Sequence, residues 1–332
     1  GRVQEHPGNP PLLMMPGVAD ISLMRVFRIF ICPIAELRAA AKLVSVVKGR
    51  LQFSSGSGGF TLIELLVVVA VLGILASLLL PALARSKAQA HRAYCLNNSR
   101  QLNVAVALYS HDNDDRLPYN LGASEIKQIL ARGQKYNWAN SVLNWELDPD
   151  NTNTLLNTEA ALGQYVGRVA RVFRCPSDDA LSAIQREAGW TDRSRTISMN
   201  AMVGDAGIFL AGTGNTNNPN YHQFRKFSEF TSTSDTFVFI EEHPDSINDG
   251  YFLNRAGVYE WNDLPASFHN GAANLAYGDG HAEAHTWVDH STRRPARAYS
   301  ADLPLPLPHE ERNDFYWLLK RTSTYESYHA AR

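Results

Sequence analysis

The sequence predicts an α+β protein: one long N-terminal helix, apolar in its first half, packed on a small antiparallel β-sheet head. Three observations carry that class. An uncharged apolar run covers residues 65–80. An alanine-rich stretch that favours helix follows it directly. Beyond residue 115 the chain breaks into short strand-like runs separated by Gly-, Asn- and Pro-rich loops.

Composition narrows the class further. With 332 residues, 45% hydrophobic and 19% charged, the chain is not disordered, collagen-like or disulfide-dense. Its 31 Lys and Arg face 33 Asp and Glu, which excludes a nucleic-acid binder driven by gross basicity. No nucleic-acid partner is expected. The negative mean hydropathy excludes a polytopic membrane protein, but an average hides one concentrated segment.

That segment reads LLVVVAVLGILASLLL from Leu65 to Leu80. The wider window 60–83 holds 24 residues and a single charge, Glu64. At about 1.5 Å per residue, about 20 residues cross a hydrocarbon core. The window is far too long for a strand, and a helix apolar all round belongs in lipid. Residues 60–83 are therefore read as one transmembrane helix of a single-pass protein. Lys48 and Arg50 precede the run and Arg85, Lys87 and Arg92 follow it, so flanking charge alone leaves the orientation open. Ala82-Leu83-Ala84 offers a signal-peptide cleavage site as a rival reading.

The junction from Gly59 to Val68 reads GFTLIELLVV. It resembles, nearly residue for residue, the processing signal of type IV pilins and type II secretion pseudopilins. The resemblance implies a pilin-like fold and a cut between Gly59 and Phe60 on the cytoplasmic side. The enzyme would be a prepilin peptidase that also N-methylates Phe60. It implies a helix kink at Pro81 and a subunit of the bacterial inner membrane with its head periplasmic or extracellular. The implied partners are that peptidase/methyltransferase, other pilin-like or pseudopilin subunits, and the membrane. Glu64 gains a role on the same basis. A carboxylate inside a span costs several kcal/mol unless paired; in the family it pairs with the N-terminal amine of a neighbouring subunit. A Glu64 that reaches to the membrane interface is the plainer alternative.

By that resemblance residues 1–59 are a leader, longer than such leaders usually run, and an over-extended start is expected. The leader carries seven Lys and Arg against three acids. Without these 59 residues and their net +4, a 273-residue chain of −6 remains from a precursor of −2.

Residues 84–113 are read as the stalk half of the same helix, with Leu96, Val104 and Leu108 on its apolar face and Arg92, Asn98 and Arg100 on its polar one. The helix should end between His111 and Asp115, where Asp and Asn cluster before Pro118. Of three cysteines, Cys32 lies in the leader. Cys95 and Cys175 are left as a candidate disulfide between stalk and head, or as two buried thiols.

The head is assigned to residues 114–310 and a tail to 311–332. Strands are expected at Val169–Cys175, Thr236–Glu241, Gly257–Trp261, Asn274–Tyr277 and His281–Val288, and Gly212–Asn220 reads as a surface loop. The stretch 268–287 reads FHNGAANLAYGDGHAEAHTW. His269, nine residues, then Asp279-Gly280 resembles the H-X9-DG signature of a large group of pilin-like proteins, as do FRCPSD at 173–178, SMN at 198–200 and CLNNSRQLNVAVALYSHDNDDRLP at 95–118. Physically, residues 269–288 read as a hairpin about the Gly278-Asp279-Gly280 turn.

Two places gather residue types that ligate metals. His281, Glu283 and His285 share a strand face near His269 and Asp279. Asp112, Asp114 and Asp115 form an oxygen-rich run suited to Ca²⁺, which some pseudopilin heads use, but the run lacks an EF-hand pattern. A solvent face and a helix-ending loop are the preferred readings, so no cofactor is expected. No G-x-S-x-G, H-E-x-x-H, P-loop or C-x-x-C motif is present. The Pro-rich 303–308 stretch should be extended, and Asp314–Leu319 a short helix docking its aromatics on the head. The expected function is a non-enzymatic subunit of a pilus-like or pseudopilus-like assembly. The rival class is a membrane-tethered extracytoplasmic binding or hydrolytic domain that uses the helix only as an anchor.

Overall fold

The computed structural model describes residues 61–325. The junction residues Gly59 and Phe60, Cys32 and the leader lie outside them. Residue contacts divide the chain into two units at Val69/Ala70. Of the first unit, residues 61–69 are described.

Helix α1 covers Leu62–Asp112, 51 residues with Pro81 inside it. Residues 61–87 are all exposed. This is the one helix among the described residues long and apolar enough to cross a membrane. An apolar segment on which no described residue packs calls for a non-aqueous neighbour.

Burial along α1 begins at Cys95. Cys95, Asn98, Ser99, Leu102, Asn103, Ala105, Val106 and Ser110 recur at helical spacing and form the packed face. The expected stalk faces need correction here: Asn98 is buried, while Val104 and Leu108 are 56% and 47% exposed. The stalk carries apolar residues on two sides. The head takes the side whose small residues, Ala105 and Ser99, allow close approach. Asn98 and Asn103 can lie there because each donates to a head carbonyl.

The head is built on a five-stranded sheet. Its strands are β1 (Ile197–Asn200), β5 (Phe237–Glu241), β6 (Tyr251–Phe252), β8 (Ala272–Tyr277) and β9 (Ala282–Thr286), in the order β6-β1-β5-β8-β9. The β1–β5, β5–β8 and β8–β9 pairings are antiparallel. The short edge strand β6 runs parallel to β1, so the sheet is mixed where an antiparallel one was expected. The class is α+β, with a long N-terminal helix leading into a small sheet domain in a pilin-like arrangement.

Both faces of the central strands are covered, which is why β5 and β8 are buried at every position. On one face Leu102, Ala105 and Val106 of α1 join Trp138, Phe173, Phe239 and Ala276 in one apolar cluster. On the other, Phe237, Leu275 and Tyr277 join Trp261, Trp287, Phe315 and Leu318. Each Val, Leu or Phe side chain among them contributes about 1.5–3 kcal/mol on burial. Phe315 and Leu318 come from a C-terminal helix, Asn313–Leu319, whose aromatics dock as expected.

Two local expectations fail. The segment Val169–Cys175 is not a strand but contains a 3₁₀ turn, Ala170–Phe173. Val169, Val172 and Phe173 fall at helical spacing, and a single turn puts all three against the core. The Gly/Asn-rich stretch is not a plain loop either. It folds as a small sheet of β2 (Leu210–Ala211), β3 (Gly214–Asn215) and β4 (Asn218–His222). Buried asparagines order it: Asn215 donates to Gln223 and the Tyr251 hydroxyl, and Asn218 to the Asn254 carbonyl. The remaining strands, β7 (Glu260–Trp261) and β10 (Leu305–Pro306), pair with each other, so the Pro-rich stretch is extended at Leu305–Pro306, while Leu303 and Pro304 form a bend rather than the extended run expected.

Candidate functional site

At the head of α1, Glu64 is not unpartnered. Its carboxylate accepts from the Thr61 backbone N–H and hydroxyl, both at 2.8 Å, and the Thr61 hydroxyl accepts from the Glu64 N–H at 3.3 Å. Thr61-x-x-Glu64 is a capping box, satisfying donors that a helix start leaves open. Sequence reading missed this ordinary role, although the T-x-x-E spacing announces it.

Asp279 and Gly280 make the turn of the β8–β9 hairpin. Gly280 has φ +93°, which only glycine adopts freely. Asp279 accepts from the His281 backbone N–H at 3.0 Å and lies 2.6 Å from its ring Nδ1. Although partial burial opposes it, these two donors hold the Asp279 carboxyl below its ordinary value. The Tyr277 ring stacks on His281, and His285 stacks on Trp317. Each of these side chains thus has a structural partner, within the hairpin for Asp279 and His281 and on the C-terminal helix for His285.

His269 occupies a different setting. It is buried in the loop before β8, its Nε2 3.3 Å from Glu241 Oε1 and 3.5 Å from Cys175 Sγ. Cys175 Sγ lies 2.9 Å from Cys95 Sγ, and both cysteines are free thiols. The two candidate disulfide partners are therefore brought together, from the stalk and from the segment after the 3₁₀ turn. One donor atom from each of Cys95, Cys175, Glu241 and His269 lies within 4.8 Å of the others, and all four residues are buried. Glu241 was not anticipated. Its signal was an acid ending the apolar strand FVFIE, where a buried carboxylate needs partners.

Electrostatics follow from that burial. The Cys95–Cys175 contact favours the Cys95 thiolate, but burial and the Glu241 charge outweigh it and push the thiol up. Burial raises Cys175 further. Burial also opposes charge on His269, yet its bonds to Cys175 and Glu241 win, and its pKa is pushed up to about 10.

The acidic run at the end of α1 is split. Asp112 accepts from the Tyr165 hydroxyl at 3.0 Å, and Asp115 accepts from the Ser228 backbone and hydroxyl. Asp114 and Asp115 sit at φ 54° and 67°, ending the helix. These acids do not converge on one point, and neither do His281 and His285; among the described residues the quartet alone does.

An apolar helix with a capped acid at its start, leading into an α+β head, is a pilin-like arrangement. The comparisons agree. Residues 54–80 match the family model described as the prokaryotic N-terminal methylation motif. The type IV major pilin protein PilA of Myxococcus xanthus (strain DK1622) is 32% identical over 87 residues, 26% of this chain and 38% of that protein. Type II secretion system core protein G of Pectobacterium carotovorum subsp. carotovorum is 41% identical over 56 residues, 17% and 36% of the two chains. The same protein of Escherichia coli (strain K12) is 27% identical over 110 residues, 32% of this chain and 76% of that one. The chain spans little more than a third of the first two relatives. No solved structure matches it.

Proposed function

We propose that this chain is a structural subunit of a type IV pilus-like or type II secretion pseudopilus-like assembly, and not an enzyme. A prepilin peptidase cuts it after Gly59 and N-methylates Phe60. The apolar half of α1 then anchors it in the bacterial inner membrane, with its head outside the cytoplasm. Neighbouring subunits pack through α1, and Glu64 sets their register by pairing with a neighbour's N-terminal amine. The resemblance at His269 and Asp279-Gly280 points to the H-X9-DG group of pilin-like proteins.

One observation carries this reading: the methylation motif at 54–80 coincides with the start of the one exposed, membrane-length helix among the described residues. Mass spectrometry of the N-terminus of the protein purified from membranes tests it. The expected N-terminal residue is N-methylated Phe60. A chain beginning near Arg85, as after signal-peptide cleavage, or one retaining the leader in full, refutes it.

A further inference from the structure

We propose that Cys95, Cys175, Glu241 and His269 form a structural zinc site that clips the stalk helix to the head. The donor set comes from four separate segments: α1, the segment just after the 3₁₀ turn, the end of β5 and the loop before β8. Two thiolates, an imidazole and a carboxylate suit zinc and exclude Ca²⁺ and Mg²⁺, which take oxygen ligands.

Two of the distances match that ion. Zinc bonds of about 2.3 Å to sulfur and about 2.0–2.1 Å to nitrogen or oxygen set tetrahedral edges of about 3.3 Å between N and O and about 3.5 Å between N and S. His269 Nε2 lies 3.3 Å from Glu241 Oε1 and 3.5 Å from Cys175 Sγ. The sulfurs, 2.9 Å apart, have to separate by ~0.9 Å to reach the sulfur–sulfur edge of about 3.8 Å.

Two of the four ligands are supported by their surroundings, whereas His269 Nδ1 is buried without a hydrogen-bond partner among the described residues. The Ser177 backbone N–H donates to Cys175 Sγ at 3.4 Å, and a thiolate accepts such a bond better than a thiol. The Asn274 backbone N–H holds Glu241 Oε2 at 2.9 Å, leaving Oε1 turned to the cluster. All four ligand positions come from the protein and the site is buried, so it is closed, as structural zinc sites are. Binding Zn²⁺ releases the two thiol protons, and a third from His269 where that ring is protonated. No electron transfer is involved.

Two measurements on the full-length chain, purified in detergent without chelators, test the site. Elemental analysis should give one zinc per chain. Exchange with Co²⁺ should give a thiolate-to-cobalt absorption band and tetrahedral d–d bands. In the Cys95→Ser/Cys175→Ser double variant the zinc should fall at least tenfold. His269→Gln should weaken binding while the fold holds, whereas His281→Ala and His285→Ala should leave the zinc at one per chain. A chain two hydrogens lighter by intact mass, with its cysteines bridged and no zinc, overturns the site. So does a reduced chain with both thiols alkylated in the presence of ZnCl₂, or zinc retained by the double cysteine variant.

Discussion

Asn103 on the stalk helix donates from Nδ2 to the carbonyl of Tyr277 in β8 at 2.7 Å. One amide thus ties the helix to the strand that carries the hairpin. Tyr277 O keeps a second donor in Gly280 N–H, so losing Asn103 does not strand it. Asn103→Ala should cost about 1–2 kcal/mol, from the lost bond and the small void. Asn97→Ala, on the exposed side of the same helix, should change stability by less than about 0.5 kcal/mol. Thermal and urea unfolding of the two variants checks the contrast.

Glu64 caps α1, and the proposed pairing gives its charge a second duty. Glu64→Gln keeps an N3 residue that completes a capping box but removes the charge; Glu64→Ala removes both. Peptidase processing should persist in each, read by N-terminal mass spectrometry. Incorporation into filaments should fail in both, read by shearing and immunoblotting. If Glu64→Gln assembles normally, the charge pairing is wrong and the cap is the whole of the role.

Glu242 is buried beside Ser198, whose hydroxyl donates to it. Burial pushes its pKa from 4.5 up to about 7, against the help of Ser198 and Arg195. A carboxyl raised on folding contributes stability in full below its unfolded value and loses it as pH rises through the folded one. Stability from this group should fall as pH rises from about 4.5 to about 7. Glu242→Gln should remove that slope. Urea midpoints at pH 4.5, 6 and 7.5 test the sign: a wild type that gains on the variant as pH rises contradicts it.

Gly204 has φ +91°, and a Cβ there would lie 2.3 Å from the Pro118 carbonyl oxygen. Gly204→Ala should therefore cost about 3 kcal/mol or more, since strain and clash add. Gly212 also has positive φ, +62°, but open space around it. Gly212→Ala should cost about 1 kcal/mol. Melting temperatures of the two variants should separate by several degrees.

What the sequence made legible was whatever is written locally. The run 65–80 is uncharged over its whole length, the GFTLIELLVV junction is contiguous, and FVFIE and NLAY alternate with turns as strands do. The helix end near Asp112 was readable because Asp114 and Asp115 accept left-handed backbone. What stayed hidden depends on contacts across the chain. Cys95 and Cys175 are 80 residues apart, and spacing carries no distance. Glu241 looked like a strand end until His269 was placed beside it. The stalk face was misjudged because Asn98 reads as polar and Val104 as apolar. Burial reversed them once Asn98 had the Arg171 and Arg174 carbonyls to bond. The VARVFRC stretch misled for a related reason: its apolar residues fit both a strand and one helical turn, and only the core chose.

The edges of the five-stranded sheet bear on how copies of this chain can join. On one side β9 presents Glu283 and His285 among its exposed and half-exposed residues. On the other, β6 is two residues long. A charged outer strand and a very short one both resist strand-on-strand addition. Polymerisation through extension of this sheet, the route that leads to cross-β fibrils, is thereby disfavoured at both rims. The exposed first half of α1 offers a longer surface on which copies can join.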